Sequence, residues 1–233
     1  MPKKIIGIVG GMGPEATADL FLKIIKATPA KKDQDHIRVV IDNNTNIPDR
    51  TKAILGEGES PLNAMHDTIK KLKEAGAEIL VMPCNTAHYF YNEIANDSSL
   101  KFLHMMNETA EYIKEEVSQA KRVGILATSG TIESRMYHNA LKERDLVPIT
   151  PKEEDQQKVM DAIYAPWGIK AGNYKKSKQY LIEVALKLIE QGAGAIVLGC
   201  TEIPLVIKED DLDVPVIDAT EVLARAAVKA AFR

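Results

Sequence analysis

Cysteine is scarce: the chain has two in 233 residues, too few for a disulfide framework, and they are not arranged as C-x-x-C. Both are read as free thiols. Long apolar runs are missing too, none reaching the roughly 18 residues of a membrane-spanning helix. The opening MPKKIIGIVGG lacks the apolar core and small-residue cleavage site of a signal peptide, so the cytoplasm is the expected location. Neither sign of charge dominates. The net charge is −3 and the pI about 6.0, which argues against nucleic acid or a membrane surface as partner. No metal-ligand spacing appears around the cysteines and the five histidines, so no metal is expected. The G-x-G-x-x-G and G-x-x-x-x-G-K-[ST] signatures of nucleotide sites are absent as well.

What is present is an ordinary globular composition, 45% hydrophobic and 27% charged, carrying an internal repeat. EAGAEILVMPCNTAH (residues 74–88) and EQGAGAIVLGCTEIP (residues 190–204) follow one pattern. A helix-like segment ends in Gly-Ala, an apolar strand follows, and a cysteine stands just past it. The offset is the same for the cysteines, 200 − 84 = 116, and for the leading glutamates, 190 − 74 = 116. RVGILA followed by TSGT (residues 122–131) likewise repeats the opening strand and its GGMGP turn.

Strands alternate with helices throughout. Short β-branched runs at 5–9, 37–41, 79–82, 122–127 and before Cys200 read as buried parallel strands. Helices are predicted at about 14–26, 61–75, from 85 onward, and at 107–117, 132–143 and 175–191. Residues 42–59 and 147–173 read as irregular. This is an α/β pattern with mainly parallel sheets, folded as two pseudo-symmetric lobes. The change of lobe falls near Leu103, giving a first lobe at 1–103 and a second at 104–214. The C-terminal stretch, about 215–233, is a candidate to pack back on the first. Ligands of open parallel sheets bind beyond the carboxyl ends of the strands. That rule sends residues 10–14, Cys84, residues 128–131 and Cys200 toward one crevice between the lobes.

The residues at those strand ends permit acid/base chemistry. A thiol with an ordinary pKa near ~8.5 is a poor base at neutral pH, and a helix N-terminus favours its thiolate. Cys84 precedes Asn85-Thr86 and a predicted helix, and Cys200 precedes Thr201-Glu202 in the same way. Asn85, Thr86 and Thr201 are candidate donors to a carboxylate or a developing oxyanion. One thiolate can remove a proton from carbon while the other thiol delivers one to the opposite face. A single cysteine after a buried strand is usually a small packed hydrophobe, and the matched pair is what turns the reading toward function. The alternatives are a redox dithiol, against which the spacing argues, and zinc with His88 or His104, for which no ligand spacing appears. Residues 10–14 are either a tight turn or an anion cradle of backbone amides. Arg50, in NNTNIPDRT, and Lys170, in APWGIKAG, are either solvated charges or carboxylate clamps. His88, four residues past Cys84, is read as packing or support rather than as the base.

Taken together, GGMGP, NIPDRT, PCNTAH, TSGT, the Lys170 loop and GCTEIP resemble the aspartate/glutamate racemase family, and within it the cofactor-independent aspartate racemases. The resemblance runs over essentially the whole chain, and PCNTAH with GCTEIP is its most specific part. It implies two Rossmann-like lobes with the active site in the cleft between them, no pyridoxal phosphate, no metal and a homodimer. It also assigns roles. Cys84 and Cys200 would be the two acid/base residues, and Arg50 and Lys170 would hold the carboxylates of a dicarboxylic amino acid. Met12, Asn85, Thr86 and Thr201 would line the pocket. Glutamate racemases typically carry His after GCT, where this chain has Glu202, and they lack GGMGP; both departures favour aspartate. The resemblance thus implies an aspartate racemase. The alternatives are a glutamate or broad-specificity amino-acid racemase, a maleate-isomerase-like relative, and a non-catalytic amino-acid-binding relative.

Overall fold

The computed structural model describes residues 3–233, the side chain at position 97 excepted; Met1 and Pro2, where the opening segment begins, lie outside the described residues. The chain divides into two compact units, Met1–Glu108 with Thr220–Arg233, and Thr109–Ala219. Among the described residues no helix is long and apolar enough to cross a membrane.

The first unit is built on β1 (Ile6–Gly10), β2 (Val39–Asn43), β3 (Ile79–Val81) and β4 (Lys101–Phe102), in the order β2-β1-β3-β4. Every pairing is parallel. β1 is buried along its whole length, as expected of a β-branched run covered on both faces. Its helices are α1 (Pro14–Ala27), α2 (Arg50–Ile54), α3 (Leu62–Glu74) and α4 (Tyr91–Ser98); α5 (Met105–Glu116) starts in this unit and runs on into the second. Pro14 opens α1 where its missing N–H costs nothing, with Glu15 in the first turn and Lys26 in the last. α3 turns Met65, Thr68, Ile69 and Leu72 inward at helical spacing.

The second unit repeats this plan. β5 (Arg122–Ala127), β6 (Val147–Ile149), β7 (Ala195–Gly199) and β8 (Val216–Asp218) run in the order β6-β5-β7-β8, again all parallel. Its helices are α6 (Ser129–Glu133), α7 (Met136–Lys142), α8 (Glu153–Tyr164) and α9 (Tyr174–Glu190); α10 (Ala219–Ala231) then carries the chain back into the first unit. There Lys4 N–H donates to Ala231 O at 2.9 Å.

The duplication extends to single contacts. A Cβ on Gly7 would come within 2.8 Å of Ala77, 2.9 Å of Leu80 and 3.5 Å of Leu72. One on Gly124 would come within 2.5 Å of Ile196, 3.2 Å of Leu188 and 3.3 Å of Ala193. These neighbours differ by the same 116 positions. In both units a strand glycine lets the crossover helix lie flat on the sheet. Gly124→Val is therefore expected to lower stability by about 1–3 kcal/mol through overpacking, read as a shift of the urea midpoint. A midpoint within error of the parent would show that the core yields at this point.

Three local expectations are corrected. Residues 147–173 are not irregular, for they contain β6 and the twelve-residue α8. The inward stripe of α8 is Asp155, Val159, Ala162 and Ile163. Asp155 is buried because Lys187 Nζ pairs with it at 2.5 Å, so a charge stands where apolar periodicity requires a hydrophobe. Residues 42–59 are not all loop, since Asp49 caps α2 by accepting Lys52 N–H at 2.9 Å. The helix predicted at 132–143 is broken into α6 and α7 at Arg135, whose φ is 57°.

Candidate active site

In the first unit the chain leaves β3 and reaches Cys84 at the margin of the apolar core, a residue only 6% exposed. Met12 belongs to the same apolar cluster and is 3% exposed. Asn85 and Thr86 follow directly and are buried. No α-helix begins there. A short 3-10 helix, Thr86–Phe90, comes first, and α4 starts only at Tyr91.

His88 lies on that 3-10 helix and fixes the Cys84 segment. Its Nε2 accepts Met105 N–H at 3.2 Å, so Nδ1 carries the proton and donates to Cys84 O at 2.8 Å. Burial pushes the imidazole pKa down to about 3, and neighbouring His104 lowers it further, against smaller raising effects of the Cys84 and Leu103 backbone. His88 is therefore a neutral strut between the Cys84 backbone and α5.

Arg50 is not a solvated charge. Its guanidinium donates to Ile47 O at 3.1 Å and Pro48 O at 2.9 Å, and reaches Met12 O at 3.5 Å. It thus pins its own loop against the glycine-rich turn that holds Met12. That turn is tightly committed. Gly11 has φ +92° and passes so close to Asn44 that a Cβ would lie 2.3 Å from its backbone. Its N–H is spent on Thr17 Oγ1 at 2.9 Å, and Thr17 donates in turn to Gly13 O at 2.9 Å. The tight-turn reading of residues 10–14 is thereby favoured over the anion cradle. In the second unit the matching TSGT turn caps α6, Thr128 Oγ1 accepting Thr131 N–H at 3.3 Å.

Cys200 follows β7 and is likewise 6% exposed. Its S–H donates to Glu202 Oε2 at 2.9 Å, and Thr201 Oγ1 donates to the same oxygen at 3.4 Å. The other oxygen, Oε1, accepts Lys170 Nζ at 2.5 Å. Lys170 comes from a single 3-10 turn, Ile169–Ala171, and its Nζ also stands 5.6 Å from the Tyr164 ring centroid. Burial pushes the Cys200 thiol well above its ordinary pKa, the Glu202 carboxylate pushes it further, and Lys170 offsets part of the rise. The thiolate expected at Cys200 from a helix N-terminus is therefore not what the local structure favours. Only a three-residue 3-10 helix follows, and a carboxylate holds the proton on sulfur.

Each unit thus gathers its own part of the anticipated constellation. The first brings Cys84 and Met12 into one cluster and ties Arg50 to Met12. The second joins Cys200, Thr201 and Lys170 through Glu202, which sequence reasoning had noted only as a departure from the glutamate enzymes. The signal was there as Cys-x-Glu after a buried strand. Among the described residues no group of three or more His, Cys, Asp or Glu could hold a metal ion.

A buried thiol past the third strand of one parallel sheet, and another at the matching place in a duplicate sheet, define a class. The Asp/Glu/hydantoin racemase family matches residues 9–227, and the chain belongs to that family. Among curated proteins it is similar to the broad specificity amino-acid racemase RacX of Bacillus subtilis, 32% identical over 228 residues, covering 96% of each chain. Among solved structures it is similar to the Picrophilus torridus aspartate racemase. That pair has TM-score 0.87 and 37% identity, with 98% of this chain and 94% of the other covered. An aspartate racemase homologue from Pyrococcus horikoshii gives TM-score 0.79 and 25% identity, covering 99% and 100%.

Proposed function

We propose that this chain interconverts L- and D-aspartate by two-base proton transfer between Cys84, Cys200 and the substrate Cα, without pyridoxal phosphate or metal. The observation that carries the reading is the pair of thiols at equivalent strand ends of duplicated sheets. The likeness to an aspartate racemase over nearly the whole chain supports the choice of substrate. One sulfur, as thiolate, takes the Cα proton, and the other, as thiol, returns one to the opposite face. Which does which depends on the enantiomer bound. Arg50 and Lys170 hold the two carboxylates. The Lys170 ammonium has three donors, so it can serve Glu202 and a substrate oxygen together. Met12, Asn85, Thr86 and Thr201 line the site and orient the ligand.

A second reading, a broader amino-acid racemase, is favoured by the similarity to RacX. One experiment separates the two. Purified protein is incubated with L-aspartate, L-glutamate and a panel of uncharged L-amino acids, with and without pyridoxal phosphate or a chelator, and followed by chiral chromatography. D-Aspartate is expected as the dominant product, unaffected by either additive. Equal turnover of uncharged amino acids would replace the first reading with the second. No D-amino acid from any substrate would remove both.

A further inference from the structure

We propose that Glu202 is a positioning residue that holds Cys200 in the resting protein as a proton-bearing thiol, and that Lys170 ties this arrangement to recognition of a substrate carboxylate. The proposal rests on the racemase reading and deepens it, by giving the two sulfurs unequal starting states.

The geometry is saturated around one buried carboxylate. Glu202 is 5% exposed. One of its oxygens takes the Cys200 S–H at 2.9 Å and the Thr201 hydroxyl at 3.4 Å, and the other takes Lys170 at 2.5 Å. A buried carboxylate needs a cation to offset its desolvation, and Lys170 is that cation. An S–H donated to a carboxylate is a charge-assisted bond that a thiolate cannot make. A thiolate there would instead place two negative charges side by side in a region of low dielectric. Tyr137 also faces Cys200, packing under Gly199; burial pushes its phenol up, so it adds no charge. The charges that act on Cys200 include the Glu202 carboxylate, which holds its proton, and the Lys170 ammonium, which opposes that hold; Asp218 on β8 acts on Tyr137.

The consequence for turnover is an ordered proton balance. For the enantiomer whose Cα proton Cys84 takes, the resting protein is ready with Cys200 as the acid; for the other enantiomer the proton on Cys200 must first move to Cys84. In the first case Cys200 gives its proton to the Cα carbanion as the S–H bond breaks and the C–H bond forms, leaving a thiolate beside Glu202. That thiolate is destabilised by the adjacent carboxylate and takes a proton back from solvent, while Cys84 gives up to solvent the proton it took from Cα, so the resting pair is restored. A substrate carboxylate would share the Lys170 ammonium with Glu202, so the cation that compensates Glu202 also senses the bound ligand.

The test reads the sulfur directly. Wild type, Glu202→Gln and Lys170→Met, each as the full chain, are treated with iodoacetamide between about pH 6 and pH 10. Labelling of each cysteine is followed by peptide mass spectrometry. Glu202→Gln removes the negative charge and keeps the side-chain size. It is expected to speed alkylation of Cys200 by about tenfold or more, equivalent to about one unit of thiol pKa, while Cys84 serves as the internal control. Lys170→Met should slow Cys200 several-fold. If access to the buried sulfur limits labelling in every form, ultraviolet thiolate absorbance in a Cys84→Ser background gives the Cys200 midpoint instead, and it should fall in Glu202→Gln. An unchanged or slower Cys200 rate, or an unmoved midpoint, overturns the proposal. Neither readout needs turnover. Inactive wild type with the expected thiol shift would remove the racemase reading and leave the Glu202 role standing; active wild type with no shift would do the reverse.

Discussion

Replacing Cys84 or Cys200 by alanine is expected to lower aspartate racemisation at least about a thousandfold, the upper range for removing a positioned acid or base. The change should be one of kind as well as of amount. With one sulfur left, a Cα proton can leave and return on the same face, so each variant should still exchange the Cα hydrogen of one enantiomer with deuterated solvent. The two variants should prefer opposite enantiomers. Proton NMR in deuterated water reports exchange, and chiral chromatography reports inversion. Racemisation within tenfold of wild type in either variant would rule out the paired-base mechanism. Exchange of the same enantiomer by both variants would mean that the two sulfurs do not act on opposite faces.

The second large effect concerns acid stability, and its sign follows from His88. The folded-state pKa of about 3 lies below the ordinary 6.5. Below pH 6.5 the unfolded chain binds a proton that the folded chain refuses. Stability should therefore be full above that pH and should fall by about 1.4 kcal/mol per pH unit as the pH drops toward 3. Between pH 6.5 and 5 the loss from this one group is about 2 kcal/mol. His138, partly buried and also shifted down, adds a share of the same sign. His88→Gln isolates the larger share, because glutamine cannot titrate yet can offer a donor and an acceptor. Urea unfolding at the two pH values should give a difference smaller by about 2 kcal/mol in that variant. An identical difference in both proteins would show that His88 is protonated in the fold, contrary to its two hydrogen bonds.

How much of this was legible in the sequence depended on whether the signal was local. The parallel strands were, because β-branched runs such as IIGIV and AIVLG can only be buried. The repeat was, because the same helix-to-strand packing demanded Ala77 and Ala193, Leu72 and Leu188, at one constant offset of 116 positions, against a strand glycine in each unit. α8 was not, because Asp155 stands on its inner face and is made tolerable by Lys187, a residue on another helix. The cysteine positions were legible from the repeat, yet the state of Cys200 was not. That state depends on where Glu202 turns and on what Lys170, more than thirty residues earlier in the chain, does when it arrives. Arg50 read equally well as a surface charge until its contacts with Ile47, Pro48 and Met12 were seen.

The return of α10 into the first unit sets an order of events during synthesis. The stretch 109–219 is continuous and can complete its own sheet as soon as it has left the ribosome. Residues 3–108 are made earlier, but they must wait for 220–233 before Lys4 finds its partner at Ala231 and Phe232 comes to lie beneath Lys3. The half translated first is thus the half finished last.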